Sequence, residues 1–375
     1  MTSTKICNRC IVVILFFLIV AGISKVKAAE DISLYSETAI LMDANTGEVL
    51  FNQDMEKTMY PASITKIVTA IIAIEQGHLD DIVTVSKKAT EVTGTRVYLV
   101  EDEKVSLLKL VQGLLINSGN DAGTAIAEHM AGSETFFAKK MNQFIEEKIG
   151  VSDTHFTNPH GLFDEDHTTT AYDMAKITQY AMNNETFREI VGTKEMEWVG
   201  EEWETTIYNH NRLLWDYEGT TGVKNGFVNK SGYTLVTTAK RNDMKLIAVT
   251  LNAPSAEHAY HDMKTLFDYG FDHYKTNVLF SHKVFETENG TKYKLDKDLY
   301  FVTGNDEDVS ITVNRLGRLW IRGENDRVIR SELLSPVESA QLTLEKTVVE
   351  DQKTEESSNF IRWISRLWSL LPFWI

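Results

Sequence analysis

Three short stretches of this chain carry side chains that could do covalent chemistry. The first is Pro61-Ala62-Ser63-Ile64-Thr65-Lys66. Ser63 and Lys66 are three residues apart, which puts both side chains on one face of a helical turn. A serine hydroxyl attacks poorly until a base takes its proton. A lysine can serve as that base when burial and a neighbouring cation lower its pKa. The start of a helix also offers positive dipole to the oxyanion that forms on attack. The second stretch is Ser118-Gly119-Asn120. The hydroxyl of Ser118 could pass a proton to a leaving amine, and the Asn120 amide could hold a peptide group of a substrate. The third is Lys224-Asn225-Gly226, where the glycine admits close approach to the backbone and the lysine places positive charge near a carboxylate. Each pattern is cheap by itself. Ser24–Lys27 and Ser106–Lys109 repeat the first spacing, Ser357-Ser358-Asn359 the second and Lys148-Ile149-Gly150 the third.

The elements that would carry these stretches raise their value. Ile67 to Ile74 is apolar on nearly every face and ends at Gly77, the pattern of a helix buried at the centre of a domain. Leu107 to Ile116 has helical spacing and stops at the turn cluster 117–121, with a further helix expected over 122–130. Ser118 therefore lies between two helices. Residues 171–191 read as helix again. Lys224 opens a region of strand pattern, with 233–240 and 245–252 flanking the turn Arg241-Asn242-Asp243. An early hairpin is expected around Asn45-Thr46-Gly47, and a closing helix over 259–271. Helices between early and late hairpins predict an α/β domain with an antiparallel sheet.

The order of a Ser-x-x-Lys helix start, a Ser-x-Asn turn and a Lys-x-Gly strand resembles the penicilloyl-serine transferases, which include penicillin-binding proteins and class A β-lactamases. With Asn158-Pro159-His160-Gly161-Leu162, Thr170-Ala171-Tyr172-Asp173-Met174-Ala175 and Leu213-Leu214-Trp215, the chain resembles the low-molecular-mass D-alanyl-D-alanine carboxypeptidases. Within that family it is most similar to the sporulation-associated members of endospore-forming bacteria. The resemblance implies the β-lactamase-like fold, an antiparallel sheet with helices on both faces, followed by a small all-β domain and a C-terminal amphipathic helix. It implies that Ser63 is acylated with Lys66 as base, that Ser118 and Asn120 assist, and that Lys224, Asn225 and Gly226 complete the substrate site. The backbone amides of Ser63 and Phe227 would form the oxyanion hole. The implied partners are peptidoglycan stem peptides ending in D-Ala-D-Ala and β-lactam antibiotics as covalent inhibitors, with no cofactor. One departure stands out, because the family usually has threonine where this chain has Asn225. No arginine precedes the closing helix either, which leaves His210 or Arg212 as weak alternatives for holding the substrate carboxylate.

The ends of the chain point to export. Lys5 and Arg9 precede the apolar run 11–21, and Val26-Lys27-Ala28 supplies small residues for cleavage, the form of a secretory signal. The run is shorter than the roughly 20 residues a spanning helix needs. Cys7 and Cys10, the only cysteines, fall in this segment. The expected organisation is a signal peptide over 1–29, a serine DD-peptidase domain over 30–275, a small β domain over 276–349, and a linker with an amphipathic helix over 350–375. In that last segment Arg362 and Arg366 share a narrow face opposite Trp363, Trp368 and several aliphatics, which fits a helix lying in a membrane surface. The expected location is extracytoplasmic, on the outer face of the cytoplasmic membrane.

Charge and composition narrow the rest. With 54 acidic against 38 basic residues and a net charge of −16, the chain is a poor partner for nucleic acid. A metal hydrolase built on His160, His167, Asp164 and Asp166, or on His258 and His261, lacks the His-Glu-x-x-His spacing. A β-lactamase would need a further group to hydrolyse the acyl-enzyme quickly, and no equivalent loop is evident. A wall-peptide-binding protein with a site impaired by Asn225 is the third alternative.

Overall fold

The computed structural model describes residues 32–337. The segment 1–29, the strand expected at 342–344 and the tail 350–375 lie outside the described residues. Among the described residues no helix is long and apolar enough to cross a membrane.

The early hairpin forms as β1 (Thr38–Asp43) and β2 (Val49–Gln53), antiparallel across the turn at Gly47. The helical middle contains α1 (Lys66–Gln76), α2 (Leu107–Ile116), α3 (Asn120–Ala131), α4 (Ala171–Ala181) and α5 (Glu185–Gly192). Three long strands follow, β3 (Thr220–Val228), β4 (Gly232–Arg241) and β5 (Met244–Ala253), and then α6 (Ala256–His273). The five strands make one antiparallel sheet in the order β2-β1-β5-β4-β3. β5 is central, and its run from Leu246 to Leu251 is continuously buried. A strand buried on successive residues needs cover on both faces; α4 and α6 both pack against it.

α1 is buried from Lys66 to Ala73, as its all-round apolar sequence requires. It is preceded by a 3-10 turn, Ala62–Thr65, that holds Ser63. Ser63 thus sits in the tighter turn, and Lys66 is the first α-helical residue.

The structure corrects two local expectations. The helical stretch expected over 171–191 is broken at 182–184, where Asn184 caps the start of α5. Lys224 does not open its strand; β3 begins at Thr220, and Lys224 lies in its middle, opposite Val236 of β4. Ladder pairing of Thr220 with Ala239 and Gly222 with Thr238 draws the residues before Lys224 into the sheet.

After α6 the described residues form an all-β region. β6 (Tyr274–Leu279) pairs with β7 (Leu299–Gly304), and β8 (Ser310–Val313), β9 (Arg318–Arg322) and β10 (Val328–Leu333) form a separate three-stranded sheet. Leu299, Phe301, Leu319 and Ile321 centre a hydrophobic cluster distinct from the one around α1.

Candidate active site

The 3-10 turn that carries Ser63 is held from several sides. Thr65 Oγ1 donates to the Ala62 carbonyl at 2.8 Å, and Thr234 Oγ1 of β4 donates to the Pro61 carbonyl at 2.8 Å. Ala62 has φ 51°, a left-handed conformation that costs a non-glycine residue energy and persists only where the surroundings impose it. Those surroundings include Gly161, whose absent Cβ would lie 1.9 Å from the Ala62 oxygen. Strand β3 closes in from the other direction, since a Cβ on Gly226 would stand 2.7 Å from the Ser63 nitrogen. Glycine at 226 is therefore what lets a strand touch the turn, a more specific role than substrate access alone.

Lys66 is fully buried and makes three contacts through Nζ. It lies 3.0 Å from Ser63 Oγ, 2.7 Å from Asn120 Oδ1 and 2.7 Å from the His160 carbonyl oxygen. The latter two atoms can only accept, so they fix two N–H bonds of the amine. The third position faces the Ser63 hydroxyl, where a neutral amine would present its lone pair. Burial, then the charge of nearby Lys224, hold the Lys66 pKa well below its ordinary value. Lys224, also buried, is lowered to about 7 by burial. Ser63 itself is partly exposed.

The Ser118–Asp121 stretch reaches the same place from the junction of α2 and α3. Asn120 Nδ2 donates to the Thr93 carbonyl at 2.6 Å while its Oδ1 accepts from Lys66. Asp121 is buried and accepts from the backbone N–H groups of Val97 and Leu99, which ties the 93–99 loop to the helix start. Ser118 is 5 % exposed with φ 63°, a tight left-handed turn two residues before the Lys66 contact.

On β3, Lys224 Nζ donates to the Asn225 carbonyl at 3.0 Å and to its Oδ1 at 3.2 Å. Asn225 therefore draws the ammonium toward itself. Phe227 is 48 % exposed and stacks against Tyr233, ring centroids 4.5 Å apart. His210 is lowered to about 4 by burial and by the charges of Lys224 and Lys66, so near neutrality it is an uncharged neighbour of the two lysines. The Arg212 guanidinium lies over the Tyr260 ring, 4.6 Å from its centre.

Ser106, His167 and His160, drawn from the decoys and rivals, have structural roles. Ser106 is the N-cap of α2, its hydroxyl accepting from the Lys109 N–H. His167 Nδ1 accepts from the Thr157 N–H at 3.0 Å, and Nε2 lies 2.8 Å from Thr65 Oγ1, whose own proton goes to Ala62. That network makes His167 a neutral Nε2–H donor with no lone pair left for a metal. His160 Nε2 faces Glu134 at 3.2 Å.

Sequence does not reveal the positioning role of several groups, with His160 and His167 figuring there as candidate metal ligands. These groups are Thr65, Thr234, His167, the His160 carbonyl, and Thr69, which donates to the Pro159 carbonyl at 2.6 Å. The available signal was threonine at positions 65 and 69 of an otherwise apolar helix, where a hydroxyl needs a partner.

The family model described as D-alanyl-D-alanine carboxypeptidase matches residues 25–255. The chain belongs to this family. Among its relatives, the D-alanyl-D-alanine carboxypeptidase DacF of Bacillus subtilis is 31% identical over 296 residues, 77% of this chain and 75% of that one. DacD of Escherichia coli is 32% identical over 303 residues, 74% of this chain and 77% of the other. Among solved structures, penicillin binding protein 5 from Haemophilus influenzae matches with a TM-score of 0.72 at 26% identity, covering 82% of this chain and 97% of that one. Penicillin binding protein 6B from Escherichia coli gives 0.72 at 28% identity, covering 83% and 98%. This carboxypeptidase is thus a hydrolase of the serine DD-peptidase kind, with the mixed α/β fold and appended all-β region of its relatives. The match to carboxypeptidases disfavours the β-lactamase reading.

Proposed function

We propose that the enzyme removes the terminal D-alanine from peptidoglycan stem peptides through an acyl-enzyme on Ser63. The observation that carries this reading is the geometry at Lys66, where two acceptor-only oxygens orient the amine and leave its third position 3.0 Å from Ser63 Oγ. Neutral Lys66 takes the hydroxyl proton as Ser63 Oγ bonds to the penultimate carbonyl carbon. Collapse of the tetrahedral intermediate breaks the peptide bond, and Ser118 relays a proton to the departing D-alanine amine. Water then hydrolyses the ester. The Ser63 and Phe227 amides hold the oxyanion, a role supported by the contact of Gly226 with the Ser63 nitrogen. Lys224 and Asn225 receive the terminal carboxylate, and Asn120 the peptide backbone. β-Lactams acylate the same hydroxyl.

The Asn225 contact with Lys224 favours a slowed enzyme as the second reading, since the ammonium is partly engaged before substrate arrives. Export through the 1–29 signal and attachment to the membrane surface by the 350–375 helix belong to the proposal and are supported by the sequence pattern of those segments.

The test is intact-protein mass spectrometry after exposure to penicillin, with peptide mapping of the adduct, beside an assay of D-alanine release from a D-Ala-D-Ala peptide. One adduct on Ser63, absent in Ser63→Ala, is expected. Wild-type protein that neither takes the label nor releases D-alanine would refute the assignment.

A further inference from the structure

At the end of the sheet away from Gly226, two adjoining cavities of about 650 and 380 Å³ share Ala44, Asn45, Gln179 and Asn183 as common walls. They make one elongated groove beside the start of β3, the end of β4, the start of β5 and helices α4 and α5. Thr221 and Lys224 are three residues apart along β3, roughly 10 Å at strand rise, so the groove is separate from the Ser63 cleft.

Five cations line it. Arg188, Lys240 and Lys245 border the larger cavity, and Lys148 and Lys176 the smaller. None of the five lies within 4 Å of a carboxylate among the described residues. The groove is thus basic although the chain as a whole is acidic, with 54 acidic and 38 basic residues. A single carboxylate, Glu189, borders the groove. Arg188 is oriented by donating from one guanidinium nitrogen to the Met182 and Asn183 carbonyls, and Lys176 donates to Gln179 Oε1. The Thr221 and Thr238 hydroxyls, 2.7 Å apart, add neutral donors at one wall.

We propose that this groove binds a linear polymer of phosphodiester-linked small polyols. Cations spaced along a channel without carboxylate partners match repeating single negative charges better than one compact anion, and phosphates suit both guanidinium and ammonium donors. Tyr180 and Tyr300 border the smaller cavity but no aromatic ring lines the larger, so the groove lacks the run of stacking rings along its length that single-stranded nucleic acid uses. The site tethers the enzyme to an anionic polymer while leaving the Ser63 cleft free.

The experiment is fluorescence anisotropy of a labelled synthetic glycerol phosphate oligomer against the full chain over a sodium chloride series. Wild-type protein should bind with a steep salt dependence. The triple variant R188Q/K240Q/K245Q should bind at least about tenfold more weakly. Its log–log salt slope should be shallower by about 0.7 for each phosphate that it no longer neutralises. Covalent labelling of Ser63 by fluorescent penicillin reports folding independently. Should the triple variant fail to label, K148Q/K176Q at the other end of the groove must show the weakening instead. Absence of wild-type binding at low salt, or unchanged affinity in the folded variants, would overturn the proposal. Equal affinity for inorganic phosphate would rule out the polymer, and equal affinity for single-stranded DNA would rule out the polyol chain.

Discussion

Lys66 and Lys224 are both buried, and desolvation lowers the pKa of each, but Lys66 also feels the charge of Lys224. The proposed mechanism uses Lys66 as the neutral amine that acts as base and Lys224 as the ammonium that holds a carboxylate. Lys224, lowered to about 7, loses its charge as pH rises through that value. The value of kcat/KM for a D-Ala-D-Ala peptide should accordingly fall above about pH 7, because this ratio reports the free enzyme. In Lys224→Arg the guanidinium stays protonated and the alkaline limb should disappear even if the plateau is lower; an unchanged limb would exclude Lys224 as its source. Asn225 gives a second expectation at this scale. Its Oδ1 competes with substrate for the Lys224 ammonium, and one such hydrogen bond is worth about 0.5–1.5 kcal/mol. Asn225→Thr should therefore raise kcat/KM for D-alanine release about 2- to 10-fold, measured by coupled assay of the free amino acid.

At the scale of elements, the reactive turn is defined by what presses on it. Gly161, with φ +85°, leaves no space for a methyl group against the Ala62 carbonyl. Gly161→Ala should cost about 2–4 kcal/mol through overpacking and backbone strain, read as a lower midpoint in urea. Penicillin acylation should slow in the same variant, because the Ser63 turn must shift; a normal acylation rate would show that the turn does not depend on this contact. His167 supports the turn from the other side through Thr65 and is lowered to about 3 by burial. The unfolded chain takes up this proton near pH 6.5 while the folded chain does not, so stability is complete above that value. It is lost as pH falls from about 6.5 toward 3, at up to about 1.4 kcal/mol per pH unit for one proton. Urea titrations at pH 7 and 5 should show this slope, and His167→Gln should flatten it. Sequence pattern revealed the elements themselves well, because α1, α2, β4 and β5 are long and strongly periodic. It misplaced the start of β3, which long-range pairing with β4 sets. It also missed the positioning roles of Thr65, Thr234 and His167, the last weighed only as a metal ligand, since those roles arise from hydrogen bonds between segments far apart in sequence.

At the scale of the molecule, a hydrophobic cluster around α1 and a separate one in the all-β region divide the labour. The one around α1 holds the Ser63 cleft, and the one centred on Leu319 and Ile321 holds the all-β region. Leu319 is fully buried, so Leu319→Ala should destabilise that region by about 2–5 kcal/mol. Calorimetry should show an earlier transition for it, while the rate of Ser63 acylation at 25 °C stays at the wild-type value; coupled loss of both would mean the clusters melt as one. The cleft was legible in sequence because its three reactive stretches each carry unusual residues for their element. The cationic groove was not, since Lys148, Arg188 and Lys245 are ordinary surface residues until the sheet end and two helices gather them.

Among the described residues β3 is the last strand of its sheet, paired with β4 on one side alone, and the Ser63 turn abuts it at Gly226. A peptide that reaches the hydroxyl must run alongside such a border as a straight ribbon, offering its own amides to the open rung. Tails wound into helices or closed into small rings cannot adopt that posture. If Ser63 is the nucleophile, the rank of one strand by itself would favour slack, uncoiled ends, before any side chain has recognised an alanine.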